Sequence, residues 1–250
     1  MKNLFTGVLT LMTMGFTFAQ ANSDTSTQIG NSNSGNVNQS GLLNSNTLLQ
    51  TGNSNVANID QLGLFNVNQA TSTGNNNSID VEQTGIDNMN ETEQVGDGNT
   101  ASTWQYGVSN DVWQYQGGND NVASAQQLGN DNSIEQLQAG DDNVASAIQQ
   151  GSDNYIGQGQ WGNGNSALHA QGGDNNSALS LQYGSGNESE GLQIGDNNLL
   201  LQTQDGNNNS AMNTQLGDGN YANINQEGSS HSHVGMQNGN SNSLVVNQSN

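Results

Sequence analysis

The side chains in this sequence that could do chemistry are mostly amides, and they recur at a fixed spacing. Steps of eleven residues in both directions from Gln149 reach Gln at twenty of twenty-one positions between 28 and 248, and Ser72 is the exception. A carboxamide donates and accepts hydrogen bonds without carrying charge. The spacing therefore indicates hydrogen-bonding columns rather than a catalytic centre.

Two further columns keep the same phase. Gly lies two residues after each of these positions from 30 to 239, and Asn follows three residues after each Gly from 33 to 242, except at His231. Three columns in phase over more than two hundred residues define a repeat protein. The Gly residues are expected at corners, where positive φ is needed.

Histidine and aspartate could instead bind metal ions. His231 and His233 lie close together near the C-terminal end and His169 lies far earlier, so a third ligand column is missing and we favour a degenerate repeat over a metal site. Asp residues at the unit boundaries could form calcium-binding turns, but we favour solvated turns, which a chelator would leave unaffected. These are Asp120, Asp131, Asp141, Asp142, Asp153, Asp174, Asp196 and Asp218.

The charge balance excludes several classes of partner. Lys2 is the single Lys or Arg against 22 Asp and Glu, which gives a net charge of −21. Such a chain is expected to repel nucleic acid and anionic lipid, and copies of itself at low salt. Assembly should therefore be faster near pH 4 than at pH 8. Because the chain has no Cys, no Lys or Arg apart from Lys2 and no clustered carboxylates, we expect no enzyme activity and no cofactor.

Residues 1–20 have the pattern of a secretory signal peptide. Lys2 is followed by a largely apolar stretch, and Ala19 and Ala21 are small residues suited to cleavage. We therefore expect a secreted protein without membrane insertion, a short N-terminal segment over 21–27 and a repeat region over 28–250. Loss of Lys2 would take the net charge to about −22.

The repeat unit predicts a strand followed by a turn. Counted from each Gly, the Asn, a small or aliphatic residue, a variable residue and the Gln lie at positions three, five, seven and nine, a period of two that places them on one face. The first two positions are mostly Asn, Asp, Ser or Gly and form the turn. Pro, which cannot donate to a β ladder, is absent.

Turns every eleven residues could join an antiparallel meander or a solenoid. In an antiparallel pair the Asn end of one strand would face the Gln end of the next. In a parallel, in-register stack each amide meets its own kind about 4.8 Å away and bonds along the column. Buried amides would otherwise each cost roughly 1 to 3 kcal/mol, so we favour the solenoid.

The size of the inward residues sets the number of strands in each coil. Small pairs such as Ala145 and Ala147 alternate with large pairs such as Ile156 and Gln158, a period of twenty-two residues. We predict an all-β fold, a parallel in-register β-solenoid of about ten two-strand coils with two facing sheets.

The resulting site prediction is structural. The central columns comprise Gln127, Gln138, Gln149, Gln160, Gln171, Asn121, Asn132, Asn143, Asn154, Asn165, Gly129, Gly140, Gly151 and Gly162. A solenoid without caps exposes unpaired strand edges at both ends. The corresponding end residues are Gln28, Asn33, Gln39, Gln237, Asn242 and Gln248.

The unit resembles the curlin repeat of curli fibre subunits. The segments 138–149 (QAGDDNVASAIQ) and 160–171 (QWGNGNSALHAQ) carry the pattern, and the resemblance covers residues 28–250. It implies an exported subunit that polymerises with its own kind into extracellular amyloid fibres on the bacterial surface, for biofilm matrix and adhesion. Its amide columns would hold the subunits together, and its terminal repeats would add the next subunit.

The resemblance also implies partners, namely a nucleating minor subunit and an outer-membrane secretion pore. The family usually has a longer segment before its first repeat that addresses the pore, whereas here only about 21–27 is available. The nucleating subunit tends to carry a basic terminal repeat, which this chain lacks, so the chain is more similar to a major subunit.

A monomeric secreted β-solenoid binding protein, ice-binding or adhesive, is the alternative. No outward position shows the flat Thr ladder that would favour ice binding. Outward aromatic and aliphatic residues could drive lateral bundling or adhesion, or serve only strand propensity. They are Trp104, Tyr106, Trp113, Tyr115, Trp161, Tyr183, Leu42, Leu43, Leu64 and Phe65.

Overall fold

The computed structural model describes residues 21–250, which coil into a two-sheet parallel β-solenoid. Odd-numbered strands form an 11-stranded sheet and even-numbered strands a 10-stranded sheet. The strands are β1 Ser23–Asn31, β2 Ser34–Leu42, β3 Ser45–Asn53, β4 Val56–Leu64, β5 Val67–Asn75, β6 Ser78–Ile86, β7 Met89–Val95, β8 Thr100–Val108, β9 Asp111–Gly117, β10 Val122–Asn130, β11 Ser133–Ala139, β12 Val144–Ser152, β13 Tyr155–Trp161, β14 Ser166–Gly172, β15 Ser177–Ser185, β16 Glu188–Ile194, β17 Leu199–Asn207, β18 Ser210–Leu216, β19 Tyr221–Ser229, β20 Ser232–Asn238 and β21 Ser243–Ser249. This confirms the predicted fold class.

Each strand from β1 to β19 pairs in parallel with the strand one coil further on. Across β10 and β12, for example, Ala123 lies opposite Ala145 and Gln127 opposite Gln149, a step of 22 residues. The residues of the Gln, Asn and Gly columns therefore stack on their own kind along the axis, except at Ser72 and His231. Among the described residues no helix is long and apolar enough to cross a membrane. The predicted signal peptide, residues 1–20, lies outside the described part.

The period of two sorts each strand into an inner and an outer face. In β12 and the Asn before it, Asn143, Ala145, Ala147 and Gln149 are buried, while Val144 is exposed. The inward side chains of the two sheets form one thin layer between them, which consists of amides, methyl groups and aliphatic side chains. Polar residues in that layer must be hydrogen-bonded to be tolerated.

Each corner contains two residues with positive φ, whereas the repeat pattern predicts only the glycine. Gly151 has φ of 126°, and Asp153 two residues later has φ of 57°. Asp, Asn and Ser dominate the second position because short polar side chains tolerate this conformation better than bulky ones. Leu43 and Phe65, expected on a sheet surface, are corner residues of this kind with φ of 59° each.

The alternation of bulk holds in the central and C-terminal coils and reverses towards the N-terminal end. One apolar cluster includes Ile134, Ala147 and Ile156, with the large residues in the 11-stranded sheet. In a second cluster most of the large residues, such as Ile59 and Val81, lie in the 10-stranded sheet, and only Leu48 lies in the other sheet. Polar residues separate the two clusters, since Thr92 and Thr103 occupy inner positions between them. Within each cluster the larger side chains of one sheet thus mostly face smaller ones of the other, but the sheet that carries the larger ones differs between the clusters.

The segment 21–27, expected to precede the repeats, already contributes to the solenoid. β1 starts at Ser23, and Oδ1 of Asn22 accepts a hydrogen bond of 3.1 Å from the backbone amide of Asn44. Asn22 therefore takes the position of the Asn column. Position 19, where each later unit has its first Gly, is Ala. A repeat pattern based on Gly therefore misses this first unit.

Candidate functional site: the amide ladders and the ends of the stack

The Gln column of the 10-stranded sheet is an unbroken hydrogen-bonded ladder. Each Nε2 donates to Oε1 of the Gln 22 residues later, as in Gln127 to Gln149 at 3.0 Å and Gln149 to Gln171 at 3.1 Å. The 11-stranded sheet carries a similar ladder, interrupted only at Ser72, with Gln138 donating to Gln160 at 2.9 Å. These side chains are fully buried or nearly so, so the ladder satisfies amides that would otherwise destabilise the fold.

The same Gln side chains also connect the two sheets. Nε2 of Gln149 donates its second hydrogen bond to the backbone carbonyl of Ser133 on the facing sheet, at 3.0 Å. Gln127 does the same with Asp111 at 2.9 Å. Both hydrogens of each amide are therefore used, one along the axis and one across the coil. A shorter side chain, or an apolar one, could not make both of these hydrogen bonds.

The Asn columns run in the opposite direction. The backbone amide and Nδ2 of Asn143 donate to Oδ1 of Asn121, one coil earlier, at 3.0 and 3.1 Å. Nδ2 of Asn143 also donates to the backbone carbonyl of Gly162 at 2.8 Å. Asn132, Asn154 and Asn165 repeat this pattern. Each Asn of the column thus stabilises the corner formed by the preceding Gly, and it connects that corner by hydrogen bonds to the corners one coil before and one coil after it.

The corner glycines admit no side chain. A Cβ on Gly129, Gly140, Gly151 or Gly162 would collide with the carbonyl oxygen of the corner Gly one coil further on. Their positive φ adds backbone strain for any other residue. The close approach of successive corners, rather than turn geometry alone, therefore explains the Gly column.

The 11-stranded sheet contains a second, shorter ladder of Gln that the sequence columns do not predict. Gln114 donates to Gln136, and Gln136 to Gln158, both at 2.8 Å. Nε2 of Gln158 then donates to Nδ1 of His169 at 3.0 Å, and Nε2 of His169 lies 2.9 Å from Oε1 of Gln202. Its signal in the sequence is Gln at the seventh position of units 22 residues apart, where the size pattern alone predicts only a large side chain.

At the N-terminal end the ladders begin with unused acceptors. Nε2 of Gln28 donates to Gln50, and Nε2 of Gln39 to Gln61, both at 2.7 Å. Neither Oε1 receives a donor from the described residues. Asn33 accepts through Oδ1 from the amide of Asn55 at 3.0 Å, while its own backbone amide has no partner within residues 21–250.

At the C-terminal end the ladders finish with unused donors. Oε1 of Gln237 and of Gln248 accept from the preceding Gln at 2.9 and 2.8 Å. Their Nε2 groups contact backbone carbonyls, but no side-chain acceptor lies beyond them in the described stretch. Asn242 donates to Asn220, and its own Oδ1 remains open. In each ladder, therefore, the donor or acceptor left unpaired at one end is complementary to the group left unpaired at the other end.

The sequence model of the curlin associated repeat matches residues 195–228. This segment resembles the curlin repeat family. It runs from corner Gly195 to corner Gly228 and so contains three of the eleven-residue units. No curated protein matches the chain. The columns inside the curlin segment continue in register along both sheets, so the remaining units share its geometry.

The histidines do not form a common site. His169 is buried in β14, and burial lowers its pKa to about 4. His233 lies three coils further on, where burial also lowers its pKa, and His231 contacts the backbone carbonyl of Glu227 at 3.0 Å. Within the described residues no group of three or more His, Cys, Asp or Glu is placed to hold a metal ion.

The corner Asp residues occupy two positions within their turns. Asp141, Asp174, Asp196 and Asp218 follow the corner Gly and accept a hydrogen bond from the backbone amide of the residue one coil earlier, at 2.8 to 3.0 Å. The others take the left-handed corner position. These are Asp120, Asp131, Asp142 and Asp153. All eight of these Asp residues thus lie in the turns of the solenoid.

The outward aromatics gather on both sheet surfaces, and one group lines a groove. Trp161 stacks on Tyr183 with ring centroids 4.8 Å apart. Beside them, Gly157 and Gly159 leave a gap of about 260 Å³ in the outer layer of the 11-stranded sheet. Its walls are Trp113, Glu135, Leu137, Tyr155, Leu179 and Leu181. Trp104 and Tyr106 lie on the other sheet, Tyr115 lies opposite Leu137, and Leu42 stacks on Leu64 at a corner.

Proposed function

We propose that this chain is a secreted structural subunit that polymerises end to end into extracellular, curli-like amyloid fibres that serve a biofilm matrix and adhesion. The curlin repeat points to self-assembly, and the fold supplies the means. In this proposal the chain acts through its ladders and not as an enzyme. A nucleating minor subunit and an outer-membrane secretion pore are its proposed partners.

The observation that carries this proposal is the match between the two ends. The N-terminal end offers Oε1 of Gln28 and Gln39, and the C-terminal end offers Nε2 of Gln237 and Gln248. In the Gln ladders the donor always precedes the acceptor by one coil, so a second copy placed on the C-terminal end continues them with the correct polarity. Backbone groups at both strand edges continue in the same way.

The experiment is incubation of the purified chain, followed by sedimentation and fibre diffraction. Fibres with reflections near 4.8 and 10 Å are expected, whereas a folded species that stays monomeric over the same period would refute the proposal. The double variant Gln28→Leu/Gln39→Leu removes the acceptors of one end. We expect elongation to slow by about tenfold or more, because two hydrogen bonds of about 1 kcal/mol each are lost.

A matched control uses glutamines of the outer face. Gln126→Leu/Gln150→Leu makes the same chemical change at outward positions in β10 and β12 that lie away from both ends. Elongation rates near those of the unmodified chain are expected. Equal slowing by both double variants would mean that the end groups have no special role.

The groove around Gly157 and Gly159 favours a second candidate, a monomeric secreted β-solenoid that binds a ligand. Its walls are largely apolar and partly aromatic, as small-molecule sites commonly are. Ice binding would need a flat outward array, and this surface is a groove instead. Persistent monomers in the incubation experiment would support this candidate over the fibre subunit.

A further inference from the structure

The two ends of the stack are offset by half a coil. Successive strands alternate between the sheets, so the position that follows β21 lies on β20 in the 10-stranded sheet. The described residues contain 21 strands, an odd number. A second copy that continues the eleven-residue phase would therefore place its β1 on β20 and its β2 on β21.

We infer that successive copies in the fibre join in this way, each rotated by half a turn about the stack axis relative to the copy before it. This inference rests on the proposed function. In this junction Gln28 of the added copy follows Gln237 in the ladder, and Gln39 follows Gln248. The 11-stranded sheet of one copy thus continues into the 10-stranded sheet of the next.

The inner residues at the two ends fit this junction. Nε2 of His233 is buried and has no hydrogen-bond partner among the described residues. The inner position of β1 that comes into register with it carries Asp24, whose carboxylate accepts hydrogen bonds from Nδ2 of Asn46 at 2.6 Å and from Oγ of Ser26 at 2.9 Å. A carboxylate one strand spacing away, about 4.8 Å between backbones, would give the imidazole a charged partner.

The alternative junction, with β1 placed on β21, is poorer in two ways. It brings Asp24 into register with Leu244, a partly buried residue of the apolar cluster, so the carboxylate would meet a hydrocarbon side chain. It also leaves one strand position empty between β20 and β2 of the next copy. The backbone donors and acceptors facing that gap would have no partner.

The half-turn junction has a consequence for the fibre surface. The groove beside Trp161 and Tyr183 lies on the 11-stranded sheet, so it would alternate between opposite sides of the fibre from one copy to the next. With 21 strands at about 2.4 Å each, one copy advances the axis by about 50 Å. Grooves on one side would recur about every 100 Å.

Disulfide trapping distinguishes the junctions, because the sequence has no Cys. Residue 25 of the added copy comes into register with Val234 in the half-turn junction and with Val245 in the alternative. All three positions are exposed. Neighbouring parallel backbones about 4.8 Å apart lie within the Cα separation that a disulfide needs. The variants are Thr25→Cys/Val234→Cys and Thr25→Cys/Val245→Cys.

Fibres of each variant are collected by sedimentation, oxidised, dissolved in formic acid and run on a non-reducing gel. A ladder of disulfide-linked multimers is expected from Thr25→Cys/Val234→Cys and monomers from Thr25→Cys/Val245→Cys. Met212→Cys/Val234→Cys, whose positions pair within one chain, is the control and should lose its thiols without forming multimers.

The reverse gel pattern overturns the half-turn junction, as does the absence of multimers from both variants when the control oxidises. Both results leave the fibre proposal standing, since fibres were collected first. If the unmodified chain forms no sedimenting fibres, the proposed function fails, and the junction fails with it.

Discussion

The hydroxyl of Ser72 donates a hydrogen bond of 3.1 Å to Oε1 of Gln94, at the one position of the Gln column without Gln. Ser is too short to accept from Gln50 as well, so the ladder of the 11-stranded sheet is interrupted between Gln50 and Ser72. The remaining rungs continue to Gln248. One residue type thus decides whether the column is continuous.

Ser72→Gln should close this interruption and stabilise the chain. The new side chain would accept from Gln50 and donate to Gln94 as its neighbours do, a gain of about 1 kcal/mol. Denaturant unfolding of the soluble chain measures it as a higher midpoint. Thr71→Gln, the same change on the adjacent outward side, should leave the midpoint nearly unchanged, and an equal or larger gain there would contradict the ladder explanation.

Gly151→Ala should destabilise the chain strongly. Its φ of 126° is strained for Ala, and the added Cβ would collide with the carbonyl oxygen of Gly173. We expect a loss on the order of 3 kcal/mol, near the upper end for backbone strain, measured by denaturant unfolding.

Gly172→Ala is the matched control for that substitution. It lies in β14 with ordinary φ, and a Cβ there would meet nothing within 4 Å. A change within about 0.5 kcal/mol is expected. Similar losses for both variants would show that the collision at the corner is relieved at little cost.

Much of this architecture could be predicted from the sequence because the stack repeats one local rule. Gln149, Asn143 and Gly151 each belong to a column that has the same environment in nearly every unit, so the period and the register can be predicted from the spacing of these columns. The left-handed backbone at Asp153 and the reversal of bulk around Ile59 and Val81 could not, since they depend on how corners close and how facing sheets fill. The contact between His169 and Gln202 joins residues 33 positions apart, outside any one repeat.

His169 should make the chain less stable in mild acid. Its ring is fully buried, and desolvation lowers its pKa from 6.5 to about 4, although the hydrogen bond with Gln202 raises it slightly. In the neutral ring Nδ1 accepts from Gln158, and protonation would break that contact. Between pH 6.5 and 4 the unfolded chain therefore binds a proton that the folded chain excludes, and stability falls as pH falls.

The expected loss through this group is on the order of 3 kcal/mol between pH 7.5 and pH 4. His169→Gln removes the titrating ring and retains hydrogen-bonding groups, so its unfolding free energy should fall less over the same range. The difference between the two chains at each pH isolates this group, because the carboxylates are common to both. Parallel pH profiles would mean that His169 is not excluded from protonation.

Asp196→Asn should stabilise the corner column at low ionic strength. Asp174, Asp196 and Asp218 follow one another in that column, each one coil from the next, and Oδ1 of Asp196 and of Asp218 accepts from the backbone amide of the Asp before it. Asn can accept the same bond, as Asn53 does at the opposite corner at 3.1 Å. The substitution thus removes repulsion between like charges without removing the hydrogen bond.

Salt separates this effect from other causes. The unfolding midpoint of Asp196→Asn should exceed that of the unmodified chain at 10 mM salt, and the gain should shrink near 0.5 M, where exposed charges are screened. Asp87→Asn makes the same change at a corner between Phe65 and Ser109, so a smaller gain is expected there. A gain that is equal at both sites, or unchanged by salt, would exclude repulsion within the Asp column as its source.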